Sequence, residues 1–151
     1  MLQHALKVGY VRLLGKGVEC GVAHSFENVT VVLPSTCTSY KRMLTMGRMF
    51  HSADYTRCHR RNNRTVSLSD GSYTEILHIC VYKCEDSLKC VLLLREYDII
   101  EDFFCPYLAL CTSSNHIRIC SPDVLSSVCV YMPLNDTEFV VCKLPNKFEK
   151  E

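Results

Sequence analysis

The chain lacks most of the features that would assign a function at sight. No apolar run approaches the roughly 20 residues that a helix needs to cross a bilayer, so no membrane partner is expected. Charge of one sign is not in excess: 17 Lys and Arg stand against 16 Asp and Glu, a net of +1. Whole-molecule electrostatics therefore cannot draw the chain to nucleic acid or membrane, and any such binding must come from a local patch. There is no C-x-x-C pair, no glycine-rich loop to cradle a phosphate, and no pair of carboxylates that stands out as acid and base. The first residues, MLQHALKVGYVRLLGKG, lack the long apolar centre and small-residue cleavage site of a signal peptide. No internal repeat or low-complexity segment is visible.

Cysteine, by contrast, is abundant at 11 of 151 residues. The odd number, the irregular spacing and the missing signal argue against a disulfide framework. Cys80, Cys90, Cys120, Cys129 and Cys142 sit among strand-forming residues, where a free thiol behaves as a small hydrophobe. The expectation is a reducing compartment, nuclear or cytoplasmic, in which the sequons at Asn28, Asn63 and Asn135 stay silent. The length suits one domain over 1–151 with a charged tail at 145–151 that frays.

The segment from Ser52 to Tyr97 reads as a four-strand antiparallel meander. Asn62-Asn63 and Asp70-Gly71 are hairpin signals, because both pairs tolerate the left-handed backbone of a tight turn. Glu85-Asp86-Ser87 is a third, looser turn. Arg64 to Ser69 alternates, with Val66 and Leu68 on one face. Tyr73–Tyr82 and Leu88–Tyr97 are apolar on both faces at their centres, which predicts central strands covered on both sides. Further strands are predicted at Val18–Ala23, Asn28–Leu33, His116–Cys120, Val124–Met132 and Glu138–Leu144. Met1–Leu14 reads as a short helix or strand, Lys41–Leu44 as a helical turn, Ile99–Leu110 as a loop or short helix, and Thr112–Asn115 as a polar linker. The fold class is mainly β: a small barrel or sandwich of about eight to nine short antiparallel strands with one or two short helices.

Candidate sites follow from clustering. Arg57, His59, Arg60, Arg61 and Arg64 fall within eight residues around Asn62, with Lys41 and Arg42 as possible neighbours. Guanidinium groups on a rigid hairpin match phosphate geometry, and Asn62 can reach a base edge or sugar hydroxyl. The bland reading is a hairpin end kept soluble by charge. His78, Cys80, Cys84, Cys90 and the Cys58-His59 pair contain zinc-type ligands, but the spacing of Cys80 and Cys84 is a poor chelate, so the thiols read as core residues and no metal or other cofactor is expected. Cys20-Gly21 is the one pair that resembles a nucleophile beside an oxyanion glycine, and it carries a minor cysteine-hydrolase reading. Tyr40, Tyr55, Tyr73, Tyr82, Tyr97 and Tyr107 could form a cage or a stacking platform, or simply pack in the core. Phe103, Phe104, Tyr107 and Leu108 are too apolar for an exposed loop unless another chain covers them.

The residues Gly47-Arg48-Met49-Phe50-His51-Ser52, Tyr55-Thr56-Arg57, Arg60-Arg61-Asn62 and Val66, followed by Asp70-Gly71-Ser72-Tyr73-Thr74-Glu75-Ile76, form an ordered series. It closes with Phe139-Val140-Val141 and Leu144-Pro145-Asn146-Lys147-Phe148-Glu149. The series resembles a domain found downstream of the transposase in CACTA-like DNA transposons and in host genes derived from them. The resemblance covers most of the chain from Gly47 onward. It implies a small β-barrel comparable to the bromo-adjacent homology domains of chromatin proteins, a nuclear, DNA-linked setting, and no catalysis. The expected function is thus a non-enzymatic module that binds DNA, RNA or chromatin through the basic hairpin. The alternative is a protein-interaction or self-association module that uses residues 99–110.

Overall fold

The computed structural model describes residues 6–55, 63–102 and 107–143. In chain order the strands are β1 (Leu6–Val8), β2 (Val11–Leu14), β3 (Val18–Cys20), β4 (Ala23–Phe26), β5 (Val29–Val32), β6 (Cys37–Tyr40), β7 (Arg42–Thr45) and β8 (Arg48–His51). They continue with β9 (Thr65–Leu68), β10 (Tyr73–Cys84), β11 (Ser87–Asp102), β12 (Leu108–Cys120), β13 (Leu125–Pro133) and β14 (Glu138–Lys143).

Six of these strands close a barrel. The antiparallel order β9–β10–β11–β12–β14–β13 returns to β9 through the pairs Val128 with Val66, Ser127 with Ser67 and Leu125 with Leu68. The turns that start it obey local chemistry. Gly71 has φ +90°, a conformation open to glycine at no steric cost, and Asp70 Oδ1 accepts the Ser72 amide at 3.0 Å. At the tip of the β10–β11 hairpin, Glu85 carries the positive φ, at 58°.

The barrel interior is narrow and is filled by side chains. Tyr73, Tyr97, Ala109, Cys111, Cys129, Phe139 and Val141 pack there, with the Tyr97 and Phe139 rings meeting edge to face at 4.5 Å. Its polar part is self-satisfied: Ser67 and Ser127 share a hydrogen bond of 2.8 Å, and buried Arg95 donates to the Ser114 carbonyl at 3.0 Å.

β10 is long enough to have two partners along one edge. Tyr73–Glu75 pair with β9, and Ile79–Val81 pair with β6. A bulge between Ile76 and His78 falls where the partner changes, as expected where a strand must bend and re-aim its side chains. Beyond the bulge the β10–β11 hairpin is buried on both faces. One face sends Ile76, Ile79, Val81, Leu92 and Leu94 against Val11, Leu13, Met43 and Phe50 of a small sheet ordered β1–β2–β7–β8. The other sends Leu77, Cys80, Tyr82, Val91 and Leu93 against Leu33 and Cys37, under the separate β4–β5 hairpin. β3 extends the main sheet from β6.

The sequence-based fold class is realised as a β-barrel, with corrections of detail. Among the described residues fourteen strands replace eight or nine, because the N-terminal third is built of three- and four-residue hairpin strands. Among the described residues there is no α-helix, only a 3-10 turn at Pro122–Val124. Lys41–Leu44 is not a helical turn: from Arg42 it is β7, paired on both sides, with Met43 fully buried between outward Arg42 and Leu44. Neighbouring strands here override the helix propensity of Arg, Met and Leu. Ile99–Leu110 is not a loop or helix where it is described. Ile99 and Ile100 continue β11 through a bulge, and Leu108–Leu110 begin β12, which also absorbs the expected linker Thr112–Asn115. Of the expected first strand of the meander, Ser52–Tyr55 is not a strand and 56–62 lie outside the described residues. Asn62 and the tail 145–151 lie outside the described residues.

Two-sided burial sets the energetic prediction. Leu92→Ala, at a fully buried site, should lower the unfolding free energy by about 2–5 kcal/mol in urea titration. Val130→Ala, at a site 42% exposed, should stay within about 1 kcal/mol. Equal effects at the two sites would contradict this packing.

Candidate functional site

The strands β1, β2, β7 and β8 read LKV, VRLL, RMLT and RMFH: four cations and no carboxylate. Period-two alternation sorts them. Leu6, Leu13, Met43 and Phe50 form one cross-strand row that faces the core. The adjacent rows, Lys7–Arg12–Leu44–Met49 and Leu14–Arg42–His51, face away from it. Lys7, Arg12 and Arg42 therefore share the outer face of the small sheet, with Lys41 exposed at its border. At one end of this face the β1–β2 tip presents Tyr10, which is 96% exposed.

At the other end of the face lie Tyr55 and Asn63, the described residues on either side of the basic segment. His51 donates its amide to the Asn63 carbonyl at 3.1 Å, and Asn63 Nδ2 donates to the Met49 carbonyl at 2.9 Å. The Ser52 amide donates to the Lys41 carbonyl at 2.9 Å, and the His51 and Tyr55 rings stack at 4.4 Å. Tyr55 and Asn63, the residues that flank 56–62, are thus both fastened to β8. The Arg42 guanidinium lies 5.4 Å from the Tyr55 ring centre, in cation–π range. Burial pushes the His51 pKa down, and the charges of Arg42 and Arg64 push it further the same way. Asp54, the one carboxylate between Tyr40 and Tyr55, has Oδ2 3.4 Å from His78 Nδ1.

Of the residues singled out for nucleic-acid contact, Arg57, His59, Arg60, Arg61 and Asn62 lie outside the described residues. Lys41 and Arg42 lie beside described residues that precede the segment: the Lys41 carbonyl accepts the Ser52 amide, and the Arg42 guanidinium faces the Tyr55 ring. Arg64 plays a different part: its Nε pairs with Glu75 Oε2 at 3.0 Å, so its charge is compensated at the barrel rim. Lys7 and Arg12 belong to the face and were missed; the alternation in LKV and VRLL was their signal. The tyrosines form no cage: Tyr73 and Tyr97 lie inside the barrel, Tyr82 lies under the β4–β5 hairpin, and Tyr55 lies against Arg42. Phe103 and Phe104 lie outside the described residues. Tyr107 is 38% exposed and Leu108 half-buried, beside exposed Ile99 and Ile100.

A second locus lies under the β4–β5 hairpin. His24 of β4, Cys37 of β6 and Cys80 of β10 place one ligand-type atom each within 4.8 Å of the others. The His24 Nε2 to Cys37 Sγ distance is 3.6 Å. All three residues are buried. Burial pushes the Cys37 thiol up and the Cys80 thiol well above the ordinary cysteine range, which disfavours the nucleophilic form. Cys20, the residue of the hydrolase reading, is the direct cross-strand partner of Cys37. The ligands grouped by sequence proximity separate: Cys84 is exposed at a turn, Cys90 packs on the opposite face of β10–β11, and His78 stacks on Phe26 at 5.1 Å. No local spacing marks His24, Cys37 and Cys80, which only the strand pairing brings together.

No protein-family model, curated protein or solved structure matches the chain.

Burial ranks the thiols. Cys90 is pushed up to about 12 and Cys129 up to about 11 by desolvation, while Cys84 is exposed. Iodoacetamide at mildly alkaline pH, read by peptide mass, should modify Cys84 before any other described cysteine. Cys90 and Cys129 should react only on unfolding. Their early modification in the native protein would contradict the packing.

Proposed function

We propose that the chain is a non-enzymatic β-barrel module that binds nucleic acid through the outer face of the small sheet together with the basic segment 56–62. The observation that carries this reading is the segregation of charge. In a chain of net charge +1, four strands hold four cations and no carboxylate, and Tyr55 and Asn63, which flank the sequence segment bearing Arg57, His59, Arg60 and Arg61, are fastened beside them. Lys7, Arg12, Lys41 and Arg42 would contact phosphates, which supply affinity without sequence preference. Tyr10 and Tyr55 are placed for stacking on unpaired bases. The motifs from Gly47 onward resemble those of transposon-derived domains, which would imply a nuclear, DNA-linked setting. Short duplex and single-stranded DNA and RNA, titrated across a salt series, test the proposal. The affinity should fall steeply with salt. Lys7→Ala with Arg12→Ala, both at exposed sites, and separately Arg60→Ala with Arg61→Ala, should each flatten the log–log slope by roughly 0.7–0.9 per phosphate contact removed. The His51 imidazole should titrate higher in the complex, since nearby phosphates favour its charged form. Absence of salt-dependent binding at low ionic strength would overturn the proposal.

A second reading, self-association, is supported by Ile99, Ile100 and Tyr107, which are 44%, 50% and 38% exposed at one end of the β11–β12 pair. Light scattering should then give a dimer that Ile100→Asp converts to a monomer. A monomer at all concentrations would remove this reading.

A further inference from the structure

We propose that His24, Cys37 and Cys80 bind a zinc ion, with the Cys20 thiol as fourth ligand. The geometry is the first support. Zinc bonds of about 2.3 Å to sulfur and 2.0–2.1 Å to nitrogen, meeting at a tetrahedral angle, set the two ligand atoms about 3.6 Å apart. His24 Nε2 and Cys37 Sγ stand 3.6 Å apart, and Cys80 Sγ completes a triangle whose sides are all within 4.8 Å. Among the described residues this is the one group of three His, Cys, Asp or Glu so placed.

The fourth ligand follows from register. Cys20 and Cys37 are directly opposed on β3 and β6, so their side chains rise from the same face, with Cβ atoms about 4.5–5.5 Å apart. The Cys20 thiol now donates to the Val18 carbonyl at 3.6 Å, a weak contact that rotation about χ1 would exchange for the metal. Three thiolates and one imidazole make a closed set of the structural zinc type, and soft sulfur ligands select zinc over magnesium or calcium. A catalytic site would keep a position open to solvent, whereas His24 and Cys37 are only 7% and 5% exposed.

The architecture supplies the need. The β4–β5 hairpin pairs only with itself and joins neither larger sheet by strand hydrogen bonds. It is held to the body by packing of Phe26, Val31 and Leu33, with the Phe26 ring 5.1 Å from His78, and by the His24–Cys37 contact; the Leu33 amide bond to the Val22 carbonyl at 2.8 Å only closes its own base. A metal shared by β3, β4, β6 and β10 would fasten this hairpin to the central strand. Each thiol that coordinates releases one proton to solvent. Protons therefore compete with the metal for the thiolates, and zinc affinity should fall as the pH is lowered.

The test is metal analysis of the full chain purified without chelator and then supplied with zinc, followed by gel filtration. One zinc per chain is expected by mass spectrometry of the metal. Replacement by cobalt(II) should give the visible bands of tetrahedral thiolate coordination. Chelator should lower the midpoint of thermal unfolding, and added zinc should restore it. Cys37→Ser should abolish stoichiometric zinc, Cys20→Ser should weaken it, and Cys84→Ser, at an exposed site, should leave it unchanged. Folded wild-type chain without zinc or cobalt bands would overturn the site even if every variant misfolded. Zinc retained in full by a folded Cys37→Ser chain would overturn it too, by placing the metal elsewhere. None of these measurements involves nucleic acid, so their failure and that of the binding proposal are separable.

Discussion

The structure depends on the antiparallel contact between β10 and β11 and on its burial from both sides. Few residues on these strands between Ile76 and Leu94 meet water except at the hairpin tip, and Ile76, Ile79, Cys80, Leu92, Leu93 and Leu94 are fully enclosed. Burying a branched aliphatic side chain contributes about 1.5–3 kcal/mol, so these few positions dominate the favourable side of folding. A strand pair apolar on both faces must be covered twice, and the rest of the chain is the means of covering it. The small N-terminal sheet closes one face. The β4–β5 hairpin closes the other. The barrel strands complete the first part of β10 and the second half of β11.

This division also separates the chemistry. Each cover has an inner surface constrained by the core and an outer or buried remainder that is not. On the small sheet the free surface carries Lys7, Arg12 and Arg42, with no carboxylate in its four strands. With 17 cations against 16 anions overall, local excess here means that compensating carboxylates lie elsewhere; Asp70 and Glu96 pair with Arg118, and Glu75 with Arg64. On the opposite side, the cover is too small to bury much apolar surface, and its inner side presents an imidazole to two thiols. A buried polar cluster costs desolvation unless its groups are well partnered, which a metal would achieve more fully than a single thiol–imidazole contact.

Much of the fold was legible because its strongest signals are local. Double-sided apolarity in Tyr73–Tyr82 and Leu88–Tyr97 identified the central strands, and Asp70-Gly71 identified the turn that feeds them. The N-terminal third was less legible because three- and four-residue strands hold too few alternations to outweigh helix-favouring residues such as Arg42, Met43 and Leu44; their conformation is decided by partners distant in sequence. The same cause hid the candidate sites. Lys41 and Arg42 are possible neighbours of the basic segment on the sequence alone, whereas Lys7 and Arg12 share a face with Arg42 only through the β1–β2–β7 pairing. Arg64 looked like a free cation until its partner Glu75, across the β9–β10 turn, was in view. His24, Cys37 and Cys80 carry no mutual spacing, so no reading of intervals could have joined them.

Native-state hydrogen exchange tests the central claim most directly. If the β10–β11 contact organises the molecule, the amides of Ile79, Val81, Leu92 and Leu94 should exchange only through global unfolding, with free energies equal to the whole-molecule stability. Amides of the β4–β5 hairpin should exchange through smaller, local openings. Exchange of the β10–β11 amides as fast as that of β4–β5, while the barrel remained protected, would contradict the account.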